Sequence, residues 1–265
     1  VWLESTAAYV EDEVLPEAHD NYQYLYPDLT VSLPKQDGND AQYSMWPLFR
    51  YAAERNGGLQ SATGTSLMKA MWADIAAGQP AITAYDNALR SRGSNLDDTF
   101  HRFAASLRFM KPCATSTPLC FSDGGDIVTS RGGVPSNQGA VASIGGGYTG
   151  ALPNTYAANW VGLPSAGTYA VEIANTSGSG ELHASIVADM GDSVVMTGLA
   201  GTAGAGQSLT IGSYTVPDGA VGVVLVITNQ QVSLDPANIA TSSYQVSTGT
   251  AAELDQFTYL PWAAK

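Results

Sequence analysis

The chain has 265 residues, of which 45% are hydrophobic and 13% are charged, a composition typical of a folded protein with one large domain or two ordinary ones. Its net charge is −13 and it has only 11 basic residues, which makes nucleic acid and anionic membranes poor partners, since both require clustered Lys and Arg. No segment reaches the roughly 18 uninterrupted apolar residues of a membrane span.

The first residues predict a helix that carries one carboxylate among apolar and small side chains. Leu3, Ala7 and Val10 recur at helical spacing, and Glu4 lies one turn before Ala8. We expect a second helix to approach this face closely. A buried carboxylate there would have to be paired or bound to a metal.

The same helix has no recognisable beginning. No Ser, Thr, Asp or Asn precedes Trp2 to cap the first N–H groups. We therefore interpret Val1 as a cut inside a longer polypeptide, and a chain that starts within a helix would show no signal peptide.

The opening residues resemble the second metal-binding helix of secreted bacterial zinc metallopeptidases of the gluzincin type. The resemblance rests on Trp2-Leu3-Glu4, two small residues, Ala7 and the acidic run 11–13, and it extends loosely over about the first 110 residues. In this family a His-Glu-x-x-His helix supplies two imidazoles and a later helix supplies a third, carboxylate ligand. The resemblance implies that Glu4 is this third zinc ligand, with the fourth position left for water.

The chain departs from the family pattern at the other ligands. No His-Glu-x-x-His occurs in the sequence, and none of the three histidines has a partner four residues on. Zinc is therefore expected only with ligands from an upstream segment of the same precursor. From its position alone, Glu4 is also typical of a first-turn acid that complements the helix dipole.

Helical patterns continue to about residue 111 and then give way to strand patterns. The helices are expected at 43–56, 65–77, 80–93 and 94–107, the last of them capped by Ser94. Nine of the eleven basic residues precede Pro112, and Gly, Ser, Thr and Val become more frequent after it. This change predicts a domain boundary near 112–125.

Beyond the boundary, apolar residues recur at every second position, which is the period of a β-strand. Residues 169–173 and 182–188 alternate as strands, with a hairpin connection at 175–180, and the apolar run 221–227 suits a central strand covered on both faces. Edge strands are expected at three earlier segments, and the aromatic tail 257–262 is expected to pack on the core. The three segments are 126–128, 140–144 and 159–163.

These patterns predict an α+β fold, an N-terminal helical subdomain followed by an antiparallel β-sandwich. The predicted domains are 1–111 (the C-terminal half of a metallopeptidase-like domain), 112–164 (linker and edge strands) and 165–265 (β-sandwich).

The two cysteines, Cys113 and Cys120, lie seven residues apart in a Pro-rich loop. A disulfide is the favoured interpretation, because no His or further Cys lies nearby to complete a metal site. The pairing predicts an oxidising location, either secreted or on the cell surface.

Three side chains near the opening helix are weak catalytic candidates. His19, Tyr43 and Tyr22 could each donate a hydrogen bond to a transition state, although surface or loop packing is the favoured interpretation of each. His101 is expected on a helix surface, and His183 is expected to face solvent outside the sandwich core.

Calcium is a further candidate ligand. Several Gly-rich turns contain aspartates, and calcium favours flexible loops that are rich in oxygen atoms: Asp123, Asp126, Asp189 and Asp192. None of these turns follows the twelve-residue pattern of a helix-loop-helix calcium site. Ordinary turn chemistry is the favoured interpretation of these aspartates.

The sequence thus favours the C-terminal portion of an exported zinc metallopeptidase-like protein. It would cleave peptide or protein substrates only when joined to an upstream His-Glu-x-x-His segment. The alternative is a non-catalytic extracellular surface or filament-forming protein that self-associates through its sandwich edges. A glycan-binding module that uses exposed Tyr and Trp side chains is a third interpretation.

Overall fold

The computed structural model describes residues 2–15, 17–25, 29, 33, 42–56, 64–113, 119–152, 156–198, 202–230 and 241–250. Helices occupy the first half of this part of the chain and strands the second. The helices are α1 (Trp2–Val14), α2 (Trp46–Asn56), α3 (Gly64–Ala76), α4 (Ala81–Arg90), α5 (Leu96–Phe109) and α6 (Gly124–Arg131), with a 3-10 helix at Asp20–Tyr24. None of the described helices is both long and apolar enough to cross a bilayer.

Nine strands follow in the described part of the chain and form two sheets. They are β1 (Gly139–Ala140), β2 (Gly147–Leu152), β3 (Ala157–Leu163), β4 (Thr168–Gly178), β5 (Glu181–Asp189), β6 (Val194–Gly198), β7 (Ser208–Thr215), β8 (Gly222–Gln230) and β9 (Ser242–Gly249). One sheet has the order β1-β3-β8-β5-β6 and the other β2-β9-β4-β7. All strand pairs are antiparallel except β1 with β3, so the predicted α+β class, with helices followed by largely antiparallel sheets, is confirmed.

The molecule has three layers, with the five-stranded sheet in the middle. Its central strand, β8, turns Val224 and Val226 towards the helices and Leu225 and Ile227 towards the second sheet. Successive side chains of a strand point to opposite faces, so a continuous apolar run is what a strand covered on both sides requires. The prediction of a doubly covered strand is therefore confirmed for 223–227, whereas Val221 precedes β8 and is exposed.

α5 forms most of the contact between the helices and the middle sheet. The helix begins at Asn95, whose side chain accepts a hydrogen bond from the Asp98 N–H at 2.8 Å. Ser94, the predicted cap, is instead within hydrogen-bonding distance of the Thr99 hydroxyl at 3.1 Å. On the sheet side, the Trp160 indole N–H donates to the Ala104 carbonyl at 3.0 Å.

The buried face of α1 is not the one that the sequence predicts. Leu3 and Val10 are 64% and 42% exposed, and Ala7 is exposed as well. The side chains that face the core are Ser5, Thr6, Ala8, Tyr9 and Asp12. Polar groups can occupy this face because other segments of the same chain supply hydrogen-bond and ion-pair partners for them, as described below for Ser5 and Asp12.

Two of the predicted edge strands are different elements. Residues 126–128 lie in α6, where the Asp123 carbonyl accepts from the N–H groups of Asp126 and Ile127 and where Ile127 is fully buried. Residues 159–163 belong to β3, an inner strand between β1 and β8. The segment 140–144 contributes only Ala140 to an edge strand, β1.

The predicted hairpin at 175–180 is a crossover between the two sheets, because β4 and β5 belong to different sheets. The turn is tight: Gly178 has a φ of +109°, and a Cβ on Gly180 would lie 1.9 Å from Asn229 Oδ1. The Asn175 amide donates to the carbonyls of Gly180 and Ala203 at 2.9 and 3.0 Å, which holds the turn in place. The aromatic tail 257–262 lies outside the described residues.

Candidate functional site

Glu4, the candidate zinc ligand, is half-buried on α1 next to the turn that leads into α2. The Tyr43 hydroxyl donates a hydrogen bond to its carboxylate, and this bond and the negative charge of Glu4 raise the pKa of Tyr43 above its usual value. One residue along, the Ser5 hydroxyl donates to the Gln42 carbonyl. These two bonds fasten the turn to the face of α1 that carries Glu4.

The structure brings two predicted site residues, Glu4 and Tyr43, into direct contact. Tyr24 stacks on Tyr43 with ring centroids 4.8 Å apart, which restricts the orientation of the phenol. His19 stacks instead on Tyr22, with ring centroids 4.6 Å apart. His19 is exposed, so its recorded contact fits packing on the loop surface.

The described residues do not complete a metal site. They include no group of three His, Cys, Asp or Glu side chains arranged to hold a metal ion. His101 cannot join Glu4 as a ligand, because both its ring nitrogens lie 2.8 Å from hydroxyl groups at the interface between the helices and the middle sheet. The donors among the described residues therefore do not fit a zinc ion on their own, and Glu4 is at most one ligand of several.

Two of the aspartates considered for calcium already have partners within the protein. Asp123 lies 3.2 Å from the Arg50 guanidinium and accepts a hydrogen bond from the Tyr22 hydroxyl at 2.5 Å. Asp189 lies 2.9 Å from the Lys111 ammonium and accepts from the Gly191 N–H. Their geometry is that of salt bridges and turns, and a calcium ion would have to displace these contacts.

An ion-pair cluster around Arg50 lies next to these groups and was not predicted. The guanidinium contacts the carboxylates of Asp12, Glu54 and Asp123. The Asp12 side chain is only 1% exposed, so its charge depends on this arginine. Burial and the nearby carboxylates of Glu54 and Asp123 raise the pKa of Glu13.

The sequence offers little sign of this cluster. The spacing of Arg50 and Glu54, four residues apart on α2, is a recognisable helical pair. Asp12 and Asp123 come from α1 and from the turn before α6, and only the tertiary fold brings them to Arg50.

A second polar cluster lies between α5 and the middle sheet. His101 is 6% exposed, and its Nε2 and Nδ1 atoms lie 2.8 Å from the hydroxyls of Ser185 and Thr228. The prediction that His101 lies on a helix surface is wrong, because the surface of α5 that carries it is covered by the sheet. His183 alternates out of the sandwich core as predicted, but it is half-buried on β5 with its ring centroid 6.3 Å from that of His101, so it faces the helical layer and not open solvent.

Although it pairs a serine with a histidine, this cluster does not have the geometry of a hydrolase site. Ser185 and Thr228 are 3% and 0% exposed, so a substrate could not reach either hydroxyl. Burial lowers the pKa of His101 to about 3, with the neighbouring positive charges of His183 and Arg102 acting in the same direction. His101 is therefore a neutral group that joins the helices to the sheet.

The predicted disulfide is confirmed, and Cys113 and Cys120 are bonded to each other. The Cys113 N–H donates to the Phe121 carbonyl at 3.2 Å, so the bridge closes the base of the loop before α6. The Arg55 guanidinium donates to the Cys120 carbonyl at 2.6 Å and attaches this base to α2.

No family model matches the chain, and no curated protein matches its sequence. Among solved structures, the pre-peptidase C-terminal domain of a collagenase from Bacillus anthracis is similar at 12% identity and a TM-score of 0.29, over 43% of this chain and 97% of that domain. The CBM22-1 and GH10 modules of endo-1,4-β-D-xylanase 10B from Clostridium thermocellum are similar at 12% identity and a TM-score of 0.25, over 38% of this chain and 24% of that one. Neither similarity is close enough to identify a function for this chain.

Proposed function

We propose that this chain is the C-terminal portion of an exported zinc metallopeptidase-like protein. In this proposal Glu4 supplies one carboxylate ligand, and an upstream segment of the same precursor supplies the His-Glu-x-x-His motif. Cleavage of peptide or protein substrates would then belong to the joined protein and not to residues 1–265 alone.

The hydrogen bond from Tyr43 to Glu4 is the observation that carries the proposal. Carboxylates that bind metals are usually oriented by an outer hydrogen-bond donor, and here the donor is itself fixed by stacking on Tyr24. A first-turn acid that only complements the helix dipole needs no such donor. The Cys113–Cys120 disulfide supports the exported location, because such bonds persist in oxidising compartments.

Zinc titration followed by calorimetry tests the proposal. The probe is Zn²⁺, added to residues 1–265 and to a polypeptide extended at Val1 with the native upstream sequence. We expect the extended polypeptide to bind one zinc ion per chain, and Glu4→Gln to weaken binding at least tenfold. Glu11→Gln is the matched control, since Glu11 is an exposed acid on the same helix. Equal zinc affinity in the wild type and Glu4→Gln would overturn the assignment of Glu4.

The non-catalytic alternative is favoured by a different observation, the outer strands of the two sheets. β6 and β7 each pair with one neighbour among the described strands, and Val195 on β6 is 48% exposed. A strand with an unpaired edge can add a strand from another molecule. Light scattering and electron microscopy at increasing protein concentration test self-association, and Val195→Lys should abolish any polymer formed through β6. A polymer unaffected by Val195→Lys would exclude this edge.

A further inference from the structure

α1 turns a row of apolar side chains towards solvent. Leu3 and Val14 are 64% and 66% exposed, Val10 is 42% exposed, and Ala7 is exposed between them. Their spacing of four, three and four residues places all four on one side of the helix. We call this row the α1 seam: Leu3, Ala7, Val10 and Val14.

The seam differs from the scattered apolar residues found on any protein surface. Eight large hydrophobic side chains are exposed in the described part of the chain, and four of them lie between residues 3 and 15. The other four come from separate segments, at residues 134, 144, 195 and 221. A concentration of this kind on one short helix is typical of an interaction site.

The opposite face of α1 is already covered by the rest of the protein. That face enters the core with Ser5 and Asp12, whose polar groups need the Gln42 carbonyl and the Arg50 guanidinium as partners. On the core side α1 buries Ala8 and Tyr9 together with its polar residues, while the aliphatic side chains of the seam lie on the solvent side. A helix that buries one side in the core and carries a further row of aliphatic side chains outside is expected to be covered on its outer side as well in the working protein.

The flanks of the seam define the charge of the partner. With the seam in the two apolar positions of a heptad, Glu11 lies along one side and Glu13 along the other. α1 contains no basic residue. A second copy of the chain packed on this seam would set glutamates against glutamates, which is unfavourable. A helix with Lys or Arg at its flanking positions would pair with them.

We propose that the α1 seam is a docking surface for an amphipathic helix that has an apolar three-four repeat and basic flanking residues. Ala7, in the middle of the seam, lets the two backbones approach closely. This inference goes beyond the proposed function, because it requires neither zinc nor the role of Glu4 as a ligand.

A pair of synthetic peptides tests the seam on the full chain. Both have 21 residues, with Ala and Leu in the two apolar heptad positions. One carries Lys at the flanking positions and the other carries Glu. We expect fluorescence anisotropy to show at least tenfold tighter binding of the basic peptide than of the acidic one. Failure of the basic peptide to bind, or equal binding of both, would overturn the proposal.

Variants separate the seam from other surfaces. Val10→Glu should weaken binding of the basic peptide at least tenfold, and Glu11→Lys should weaken it while strengthening binding of the acidic peptide. Val221→Glu is the matched control, because Val221 is 71% exposed and lies far along the chain on the turn before β8. Equal weakening by Val10→Glu and Val221→Glu would contradict the proposal.

Two other occupants of the α1 seam would give different experimental results. A dimer in light scattering that Val10→Glu dissociates would assign the seam to a second copy of the chain. Binding to phosphatidylcholine vesicles that Val10→Glu abolishes would assign it to a lipid surface. Either result would overturn the assignment to a basic helix.

Discussion

His101 on α5 and Ser185 on β5 lie 2.8 Å apart, from Nε2 to Oγ, although 84 residues separate them in the chain. Together with the contact to Thr228, this pair joins the helical layer to the middle sheet through a fully enclosed imidazole. The interface accepts the ring only in its neutral form, because burial opposes the charged one.

The stability of the protein should therefore fall in mild acid. Burial lowers the pKa of His101 to about 3, whereas an unfolded histidine titrates near 6.5. Between these values the unfolded chain binds more protons, so this contribution is complete above about pH 6.5 and decreases as the pH falls. Urea unfolding at pH 7.5 and pH 5 should differ by about 2 kcal/mol from this residue alone.

His101→Gln checks the cause of that difference. The amide can keep contacts to both hydroxyls but does not titrate, so the variant should lose most of the stability difference between pH 7.5 and pH 5. His183 adds to the effect in the same direction, since burial also lowers its pKa. His19→Gln, on an exposed loop, is the control. An unchanged pH dependence in His101→Gln would contradict the prediction.

Removal of the Arg50 guanidinium should destabilise the protein strongly. Arg50→Met would leave Asp12, whose side chain is 1% exposed, as an unpaired buried charge. We expect a loss of about 3–5 kcal/mol in the free energy of unfolding, measured by urea denaturation. Adding Asp12→Asn to Arg50→Met should recover part of the loss, because the amide carries no charge.

Arg102→Met is the matched control for Arg50. Its ion pair with Asp98 is exposed, with the two side chains 44% and 62% accessible and the atoms 3.8 Å apart. The cost should be below about 0.5 kcal/mol. Similar losses in the free energy of unfolding for Arg50→Met and Arg102→Met would show that the buried cluster stabilises the protein no more than an exposed ion pair does.

Two adjacent glycines in α6 should respond in opposite ways to alanine. A Cβ on Gly124 would lie 2.3 Å from the Met110 carbonyl oxygen, a backbone atom that cannot move aside cheaply, whereas a Cβ on Gly125 would meet nothing within 4 Å. Gly124→Ala should cost about 1–3 kcal/mol. Gly125→Ala should be neutral or stabilise by up to about 1 kcal/mol. Thermal unfolding of both variants gives the comparison, and a tolerated Gly124→Ala would show that α6 does not pack closely on Met110.

Loss of the disulfide should have a moderate effect. The Cys113–Cys120 bridge closes a short loop, and the chain-entropy estimate of its stabilisation is about 2.5 kcal/mol. Cys113→Ala combined with Cys120→Ala should lower the free energy of unfolding by about this amount. Reduction of the wild-type protein with dithiothreitol should produce the same loss, and a much smaller one would mean that the unfolded loop is already restricted.

Local patterns were sufficient to predict that helices precede strands. The spacing of apolar residues in α2, α4 and α5 and the continuous run in β8 reflect packing that is regular along the chain. The disulfide was predictable because only two cysteines exist and they are close in sequence. These features depend on neighbours in the chain, which the sequence displays directly.

The rest depends on contacts between distant segments. The exposed Leu3 and Val10 have the spacing of a buried face, and only the positions of Gln42 and Arg50 explain how α1 can bury Ser5 and Asp12 instead. Likewise, the buried state of His101 follows from the sheet that covers α5. The likeness of 2–13 to a metallopeptidase helix suggested Glu4, and the fold adds Tyr43 as its partner, but the sequence contains no His-Glu-x-x-His to supply the other two ligands.

The middle sheet belongs to two cores at once, with Val224 and Val226 facing the helices and Leu225 and Ile227 facing the second sheet. Removal of the helices by a break in the chain at residue 111 would consequently uncover one face of β8 and expose the two valines to solvent. The two sheets without the helices would thus not form a separately stable unit, although the composition changes at this point. Any homologue that carries the sandwich without the helices would need polar residues at positions 224 and 226.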